Sequence, residues 1–546
     1  MTETSLAVDT TELTGAQLLV RQLRDRGVRI LYGVPGGDCS IDIIAAAAEL
    51  GIRFVLTRSE NAAAMMASAG AQIDGTLGVV LTTRGPGLAN GVNGVACAML
   101  DRCPMLFISD GYENEQAFVS HQRFDQQRVL EPVVKGSLRV DSPDVVPAVV
   151  DLLDLALSRP AGPVYLEVTG KGMRGRVTDH GALTRAFLQP RLPAASAESV
   201  AIARRLMERA RRPVLIAGLQ TRESGAAAAL RALVARWRCP VPTTYMGKGA
   251  IADADPLNIC HFMAGGAEDE LMKSADLIVS YGMDPIELLP KPWKYGAPVI
   301  EIASRAFARN HFLPAVALTG ELDDAATQLA SDLSPSPWAA SEIDDLKAHM
   351  RARATFDDDT AITPTHLART VCERLPADVR IAVDAGAHML PVMAFFEAKQ
   401  PCDALISRGL ATMAYGLPSA IGAAMADPSR HVVAFTGDGG LMMCIAELAT
   451  AAQLGCRLTV VVFNDSAIAM IGVKQNQRGF ERVGMDYSPS DFAMIAEGFG
   501  CKGMRVKRRE DLPTTIDRAL AHPGTVVVDV AVDPSSYDRQ IRSLRG

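Results

Sequence analysis

HVVAFTGDGGLMMCIAELATAAQLGCRLTVVVFND, residues 431–465, decides the architecture. HVVAFTG (431–437) is apolar and β-rich and reads as a buried strand. GDGG then makes a tight turn, a helix is expected from about Leu441, and RLTVVVF (457–463) reads as a second strand. Strand, helix, strand in this order is a parallel unit with a right-handed crossover, which brings both strand ends to one sheet edge. Asp438 and Asn464 stand at those two ends, so they are expected to be neighbours across a gap of 26 positions. Glycines let the backbone approach a ligand closely, and a starting helix presents free N–H groups, which suits a phosphate. A carboxylate, an amide oxygen, a main-chain carbonyl and diphosphate oxygens together make an octahedral Mg²⁺ site. A plain turn followed by a capping Asn would leave the same letters, so a second half-site has to decide.

The texture of that stretch recurs along the chain. LGVVLT (78–83), PMLFIS (104–109), PVYLEV (163–168), RPVLIAG (212–218), DLIVSYG (276–282) and TVVVDVAV (525–532) read as buried strands between Ala-rich helical patterns. Repeated strand–helix alternation predicts an α/β fold with parallel sheets covered on both faces. Two stretches rich in Gly, Pro and charge, 171–196 and 333–362, read as linkers. They divide the chain into three doubly wound domains, expected at 12–178, 196–335 and 360–540, with no sequence-level repeat among them.

A chain of 546 residues exceeds one core. Its 48% hydrophobic and 21% charged residues are ordinary for a globular protein. A net charge of −7 without a basic block argues against a nucleic-acid partner. No run approaches 18 uncharged apolar residues, which argues against a membrane span. The opening MTETSLAVDTTELTG reads as a polar, disordered lead-in rather than a signal peptide. Ten scattered cysteines without a CxxC pair read as reduced thiols of a cytoplasmic protein, with no spacing for structural zinc.

The second half-site lies upstream. RSENAAAMMASAGAQ (58–72) follows the strand IRFVLT, and Glu60 stands where strand end meets helix start. Such a carboxylate is either a partner of the helix N-terminus or a functional group. The same block carries YGVPGGD (32–38) and TTRGPGLANGVNGVACAMLD (82–101).

G-D-G followed by Asn, an upstream Glu, P-G-G and G-P-G-x-x-N together resemble the thiamine-diphosphate-dependent enzymes. Within them the chain is similar to the acetolactate synthase-like branch, over about residues 15–535. The resemblance implies a pyrimidine-binding, a central and a diphosphate-binding domain. It implies thiamine diphosphate and Mg²⁺ as cofactors, with Asp438, Asn464 and the main-chain oxygen of Ser466 on the metal. Glu60 would hydrogen-bond the aminopyrimidine ring and drive its tautomerisation. Gly386, His388, Gly439, Gly440, Ile468, Ala469 and Met470 would touch the cofactor. Met413, in SRGLATMAYGLPSAIGAA (407–424), would force its two rings into a V, and the Ala411 carbonyl would accept from its amino group. In SHQRFDQQ (120–127), Gln122 and His121 would meet oxyanion charge. Gly36, Gly37, Met470 and Ile471 would line the substrate pocket.

His121 and YGMDPIELLPKPW (281–293) resemble the catabolic, FAD-independent members, which argues against FAD. Lys474, in DSAIAMIGVKQNQRGF (465–480), departs from the aromatic or Gln of the family and would favour an anionic substrate at the pocket mouth. The implied reaction is decarboxylation of a pyruvate-like 2-oxo acid and carboligation to a second carbonyl, an aldehyde or ketone. Plain 2-oxo acid decarboxylation and 2-hydroxyacyl-CoA or acyloin cleavage stay open as alternatives. In the family each active site forms between two subunits, so a homodimer or homotetramer is expected. A nicotinamide enzyme is disfavoured, since no G-x-G-x-x-G follows an early strand.

Overall fold

The computed structural model describes residues 11–179, 187–308, 310–356 and 360–545. The chain divides into two compact units. The first is Met1–Pro190 with Pro418–Ser429 and Cys444–Cys456; the second is Arg191–Leu417, Arg430–Met443 and Arg457–Gly546.

Three six-stranded sheets carry the fold, and their strand pairings are parallel. The first is built from Ile30–Val34, Arg53–Leu56, Gly78–Thr82, Met105–Asp110, Ser137–Val140 and Pro163–Val168. Numbered along the chain, these strands lie in the order 2-1-3-4-6-5. The last sheet, from Arg380–Val383, Ala404–Ile406, Val432–Gly437, Leu458–Asn464, Lys502–Val506 and Val526–Ala531, repeats that order. The middle sheet runs 3-2-1-4-5-6, the order of nucleotide-binding folds. An α/β fold of three parallel, doubly wound sheets is what the alternating texture led us to expect. Met105–Asp110, Pro163–Val168 and Leu458–Asn464 are buried along their whole length, because helices cover both faces of a parallel sheet. Their apolar runs do not alternate for that reason.

Three local expectations need correction. The helix after GDGG begins at Asp438, not near Leu441, and ends at Met442; a second helix spans Glu447–Leu454. Without side chains, Gly439 and Gly440 let the turn close at the strand end itself. The stretch 333–362 is not a bare linker. It holds the helix Ala340–Ala354, whose Ile343, Met350 and Ala354 are buried at helical spacing among charges. The stretch 171–196 likewise starts with structure: Arg176–Asp179 pairs antiparallel with Thr11–Thr14, so the end of the expected lead-in is a strand. The rest of that lead-in, residues 1–10, and residues 180–186 lie outside the described residues. Among the described residues no helix is long and apolar enough to cross a membrane.

Within the first unit, the helix Glu60–Asp74 packs against Pro418–Ser429. A Cβ on Gly422 would lie 2.2 Å from the Met66 carbonyl oxygen, so only glycine permits this approach.

Candidate functional site

Register settles the question posed by GDGG. Gly437 pairs with Phe463 across adjacent parallel strands, so Asp438 and Asn464 leave the sheet side by side. Both are buried. Asp438 accepts from the Gly439 N–H at 2.6 Å and from the Ala467 N–H at 3.2 Å. Asn464 spends its amide hydrogens on the Ser490 carbonyl (3.1 Å) and on Asp529 Oδ1 (2.8 Å). Its Oδ1 is left with the Ser466 hydroxyl at 3.5 Å. Ser466 itself adopts a left-handed backbone, φ 56°, and its carbonyl accepts from the Tyr487 N–H at 2.8 Å while keeping a second lone pair. A cavity of about 480 Å³ is lined by Asp438, Asn464 and Ser466 together. The structure therefore brings the three expected metal-binding residues to one place.

Two carboxyls at this turn are held above their ordinary range. Burial pushes the Asp438 carboxyl up. Burial, and then the charge of Asp438, push Asp465 up to about 7. Protonation of one of them, or a cation beside them, relieves their mutual repulsion. Among the described residues no group of three or more His, Cys, Asp and Glu could hold a metal. The donor set at Asp438 is one carboxylate with an amide and a carbonyl oxygen. These hard ligands fit Mg²⁺ when diphosphate oxygens complete the shell.

A second cavity of about 210 Å³ shares Asp438 and Gly439. Gly386, His388, Ala411, Met413, Gly440, Ile468, Ala469, Met470 and Ile471, all expected site residues, line it. Burial lowers His388 to about 4, so the ring is neutral, and its Nε2 is buried without a hydrogen-bond partner. An orphaned nitrogen of this kind calls for a ligand atom. Gly386 could carry no side chain, since its Cβ would lie 2.6 Å from the His388 ring. A Cβ on Gly439 would lie 2.5 Å from the Tyr487 hydroxyl, and one on Gly440 2.2 Å from Asp384 Oδ2. Ala411 is left-handed too, φ 53°. Lys474 is not among the lining residues; it is exposed, one turn past Met470 and Ile471 on the helix Ala469–Gln477.

The first unit carries the other half-site. Glu60 opens its helix at 8% exposure, and its Oε2 accepts from Asn90 Nδ2 at 2.5 Å. Gly87 faces the same carboxylate, its Cβ position lying 3.1 Å from Oε1. The chain just before Glu60 is fixed by Glu447, whose Oε1 accepts from the Arg58 N–H at 2.9 Å. Gly85, on the other side of the G-P-G turn, packs against Gln122, with 2.7 Å from its Cβ position to the Gln122 carbonyl oxygen. Gln122 is left-handed, φ 55°, and lines a cavity of about 460 Å³. His121 is exposed and outside that lining. Gly36 is pressed against Asp110 and Thr83, whereas a Cβ on Gly37 would meet nothing within 4 Å.

Four supporting residues escaped the sequence reading: Asn90, Asp384, Glu447 and Asp529. Asn90 is the last letter of G-P-G-x-x-N, so a signal was present. Asp384 is fully buried and ties three segments together, accepting from Thr436 Oγ1 (2.9 Å), Ala385 N (2.9 Å) and Tyr415 N (3.1 Å). Nothing in the letters around Glu447 or Asp529 marks their partners.

Known proteins match the chain in the same order as its sheets. Residues 13–129 match the family "Thiamine pyrophosphate enzyme, N-terminal TPP binding domain", 200–329 its central domain, and 384–530 its C-terminal TPP binding domain. "Acetolactate synthase" of Bacillus subtilis (strain 168) is 27% identical over 536 residues, 95% of this chain and 93% of the relative. "Acetolactate synthase, catabolic" of Raoultella terrigena is 29% identical over 544 residues, 95% of each. "Acetolactate synthase isozyme 1 large subunit" of Escherichia coli (strain K12) is 28% identical over 533 residues, 95% of this chain and 94% of the relative. With all three domains matched in sequence order and relatives aligned along nearly its whole length, the chain belongs to the thiamine-diphosphate-dependent enzymes, in their acetolactate synthase-like family.

Proposed function

We infer that the chain is a thiamine-diphosphate- and Mg²⁺-dependent carboligase, which removes CO₂ from a pyruvate-like 2-oxo acid and joins the remainder to a second carbonyl. The observation that carries this is the convergence of Asp438, Asn464 and Ser466 beside an unpartnered His388 Nε2. The cofactor, when bound, supplies the electron sink that lets a 2-oxo acid lose CO₂. Asp438, Asn464 and the Ser466 carbonyl would hold Mg²⁺. His388, Gly386, Gly439 and Gly440 receive the diphosphate. Met413, Ala411, Ile468, Ala469 and Met470, which line the cavity beside Asp438, would enclose the cofactor there, Met413 with its bulk and Ala411 with its main-chain carbonyl.

Glu60, fixed by Asn90, would be the proton partner of the cofactor's pyrimidine ring. Gln122, with His121 beside it in sequence, meets oxyanion charge. Gly36, Gly37, Met470, Ile471 and Lys474 border the substrates. Glu60 lies in one compact unit and Asp438 in the other, and we take each complete site from two copies of the chain, in a dimer or tetramer. The reading without FAD rests on the likeness of His121 and residues 281–293 to the FAD-independent members; within that stretch Glu287 is buried and accepts from Leu219 N at 2.9 Å and from Asp284 N at 2.8 Å. The nine described cysteines are free thiols, which agrees with a reducing, cytoplasmic setting.

The test is to supply thiamine diphosphate, Mg²⁺ and pyruvate and to follow CO₂ and 2-acetolactate together. One CO₂ per acetolactate supports carboligation. CO₂ with free acetaldehyde and no acetolactate overturns it in favour of simple decarboxylation.

A further inference from the structure

The second unit holds a cavity of about 100 Å³ that no proposed cofactor contact uses. It lies at the edge of the middle sheet. The edge strand Asn258–His261, the helix Ala340–Ala354 and the helix Met389–Phe395 each contribute to its wall. Tyr245, Ile259, Met263, Leu390 and Phe396 form an apolar side. A cavity that stays dry is apolar throughout, whereas this one also has a charged side that water or a ligand must meet.

That side carries one cation more than its carboxylates balance. Lys248, 2% exposed in its side chain, pairs with Asp253 Oδ2 at 2.7 Å. Asp253 is thereby spent, since its oxygens also accept from Ala398 N (2.7 Å) and from Asn258 Nδ2 (3.1 Å). Arg351 pairs with Glu397 at 3.6 Å. Lys347 is left. It is half-buried, and its ammonium donates to the Asp253 and Asp255 carbonyls at 3.0 and 2.8 Å. No carboxylate among the described residues pairs with it, and one of its three N–H groups is unused. Burial pushes the Lys347 ammonium down. His261 adds no charge, because burial, and then the neighbouring Lys248, lower it to about 3.

One helix serves this cavity and the cofactor cavity alike. His388 caps Met389–Phe395 and lines the cofactor cavity, while Leu390 and Ala394 line this one. His261 Nε2 reaches the Met393 carbonyl of the same helix at 2.5 Å, and its Nδ1 is buried without a partner.

We propose that this cavity is a regulatory site for a small aliphatic carboxylate, whose anion pairs with Lys347 and whose chain covers the apolar side, and that the helix Met389–Phe395 links its occupancy to cofactor affinity. The cavity is smaller than the about 300–1,000 Å³ of sites for drug-sized ligands, which leaves out a nucleotide. Inorganic phosphate would match the ammonium and leave the apolar side uncovered. A link of this kind is reciprocal: the factor by which one ligand changes the other's affinity is the same in both directions.

The probe is isobutyrate, titrated by calorimetry into the cofactor-free chain and into the chain saturated with thiamine diphosphate and Mg²⁺. Saturable binding is expected in both, weakened about tenfold or more by Lys347→Met and largely kept by Lys347→Arg. Ala354→Leu, which fills the cavity with every cation in place, should abolish it. Neutral isobutyramide should not compete. The two isobutyrate affinities should differ about fivefold or more, and isobutyrate should shift the thiamine diphosphate affinity by the same factor. No saturable binding, or binding indifferent to Lys347→Met and to Ala354→Leu, overturns the site. Phosphate binding as tight as isobutyrate overturns the carboxylate assignment. Isobutyrate affinities within about twofold with and without cofactor overturn the link. The cofactor-free titration tests the site whichever reaction the chain catalyses.

Discussion

Asn464 donates an amide hydrogen to Asp529 Oδ1 at 2.8 Å, and this bond decides which way the amide faces. With its nitrogen held by Asp529 and by the Ser490 carbonyl, the oxygen is the atom left to meet a metal. Asp529 is fully buried and also accepts from the Phe492 N–H at 3.0 Å. Asp529→Asn would set two amide groups face to face and free Asn464 to turn. Partners behind a metal ligand are typically worth about 10–100-fold in metal affinity. The expected result is a rise of about that size in the Mg²⁺ and thiamine diphosphate needed for half-saturation, read by calorimetry, with circular dichroism unchanged. Unchanged affinity would mean that the amide needs no such support.

His388 gives a prediction with two opposite signs. Its buried Nε2 lacks a partner, and an unsatisfied buried polar atom costs about 1–3 kcal/mol. His388→Phe should raise the denaturant midpoint of the cofactor-free chain while weakening thiamine diphosphate binding. Because burial holds the ring neutral above about 4, His388 should contribute no pH dependence to cofactor binding between about pH 5.5 and 8. A variant that binds the cofactor as wild type does would remove His388 from the site.

Asp384 should leave a signature in stability against pH. Burial holds its carboxyl at about 6, above the ordinary 3.8. Between those values the unfolded chain gives up this proton before the folded chain does. Folding therefore loses stability from this group as pH rises from about 4 to about 6, and the loss levels off above. Each tenfold difference in proton affinity is about 1.4 kcal/mol, so the effect is on the order of 1–3 kcal/mol. Urea midpoints at pH 4.5 and 6.5 should differ more in this direction in wild type than in Asp384→Asn. Equal differences in the two proteins would show that Asp384 is not the group responsible.

How much of this was readable in the letters follows from what each feature depends on. Val432–Gly437 and Leu458–Asn464 are largely apolar, β-rich runs, and a parallel strand–helix–strand unit has one handedness, so the meeting of Asp438 with Asn464 could be derived. The shared strand order of the first and last sheets could not, because crossovers are set by packing that leaves no local trace. The helix Ala340–Ala354 was hidden by the charge density of its exposed face; only Ile343, Met350 and Ala354 mark its buried side. Asp529, 65 positions from Asn464, and Glu447, 389 from Arg58, were invisible because a side chain's partner is chosen by the fold and not by spacing. Left-handed backbone at Gln122, Ala411 and Ser466 was equally silent, since nothing in Gln, Ala or Ser favours it. Of the nine described non-glycine residues with positive φ, these three are ones that the family resemblance singles out, and the other six lie outside the candidate site residues.

Central to the proposed chemistry is Glu60 as the proton partner of a cofactor held at Asp438 and Asn464. The direct measurement is the rate at which the thiazolium C2 proton of thiamine diphosphate exchanges with D₂O when bound with Mg²⁺, followed by NMR after acid quench. Wild type should accelerate exchange strongly over free cofactor. Glu60→Gln should slow it by about 10²–10⁴-fold, the usual worth of a positioned acid–base group, while still binding the cofactor. Exchange in Glu60→Gln as fast as in wild type would contradict that role.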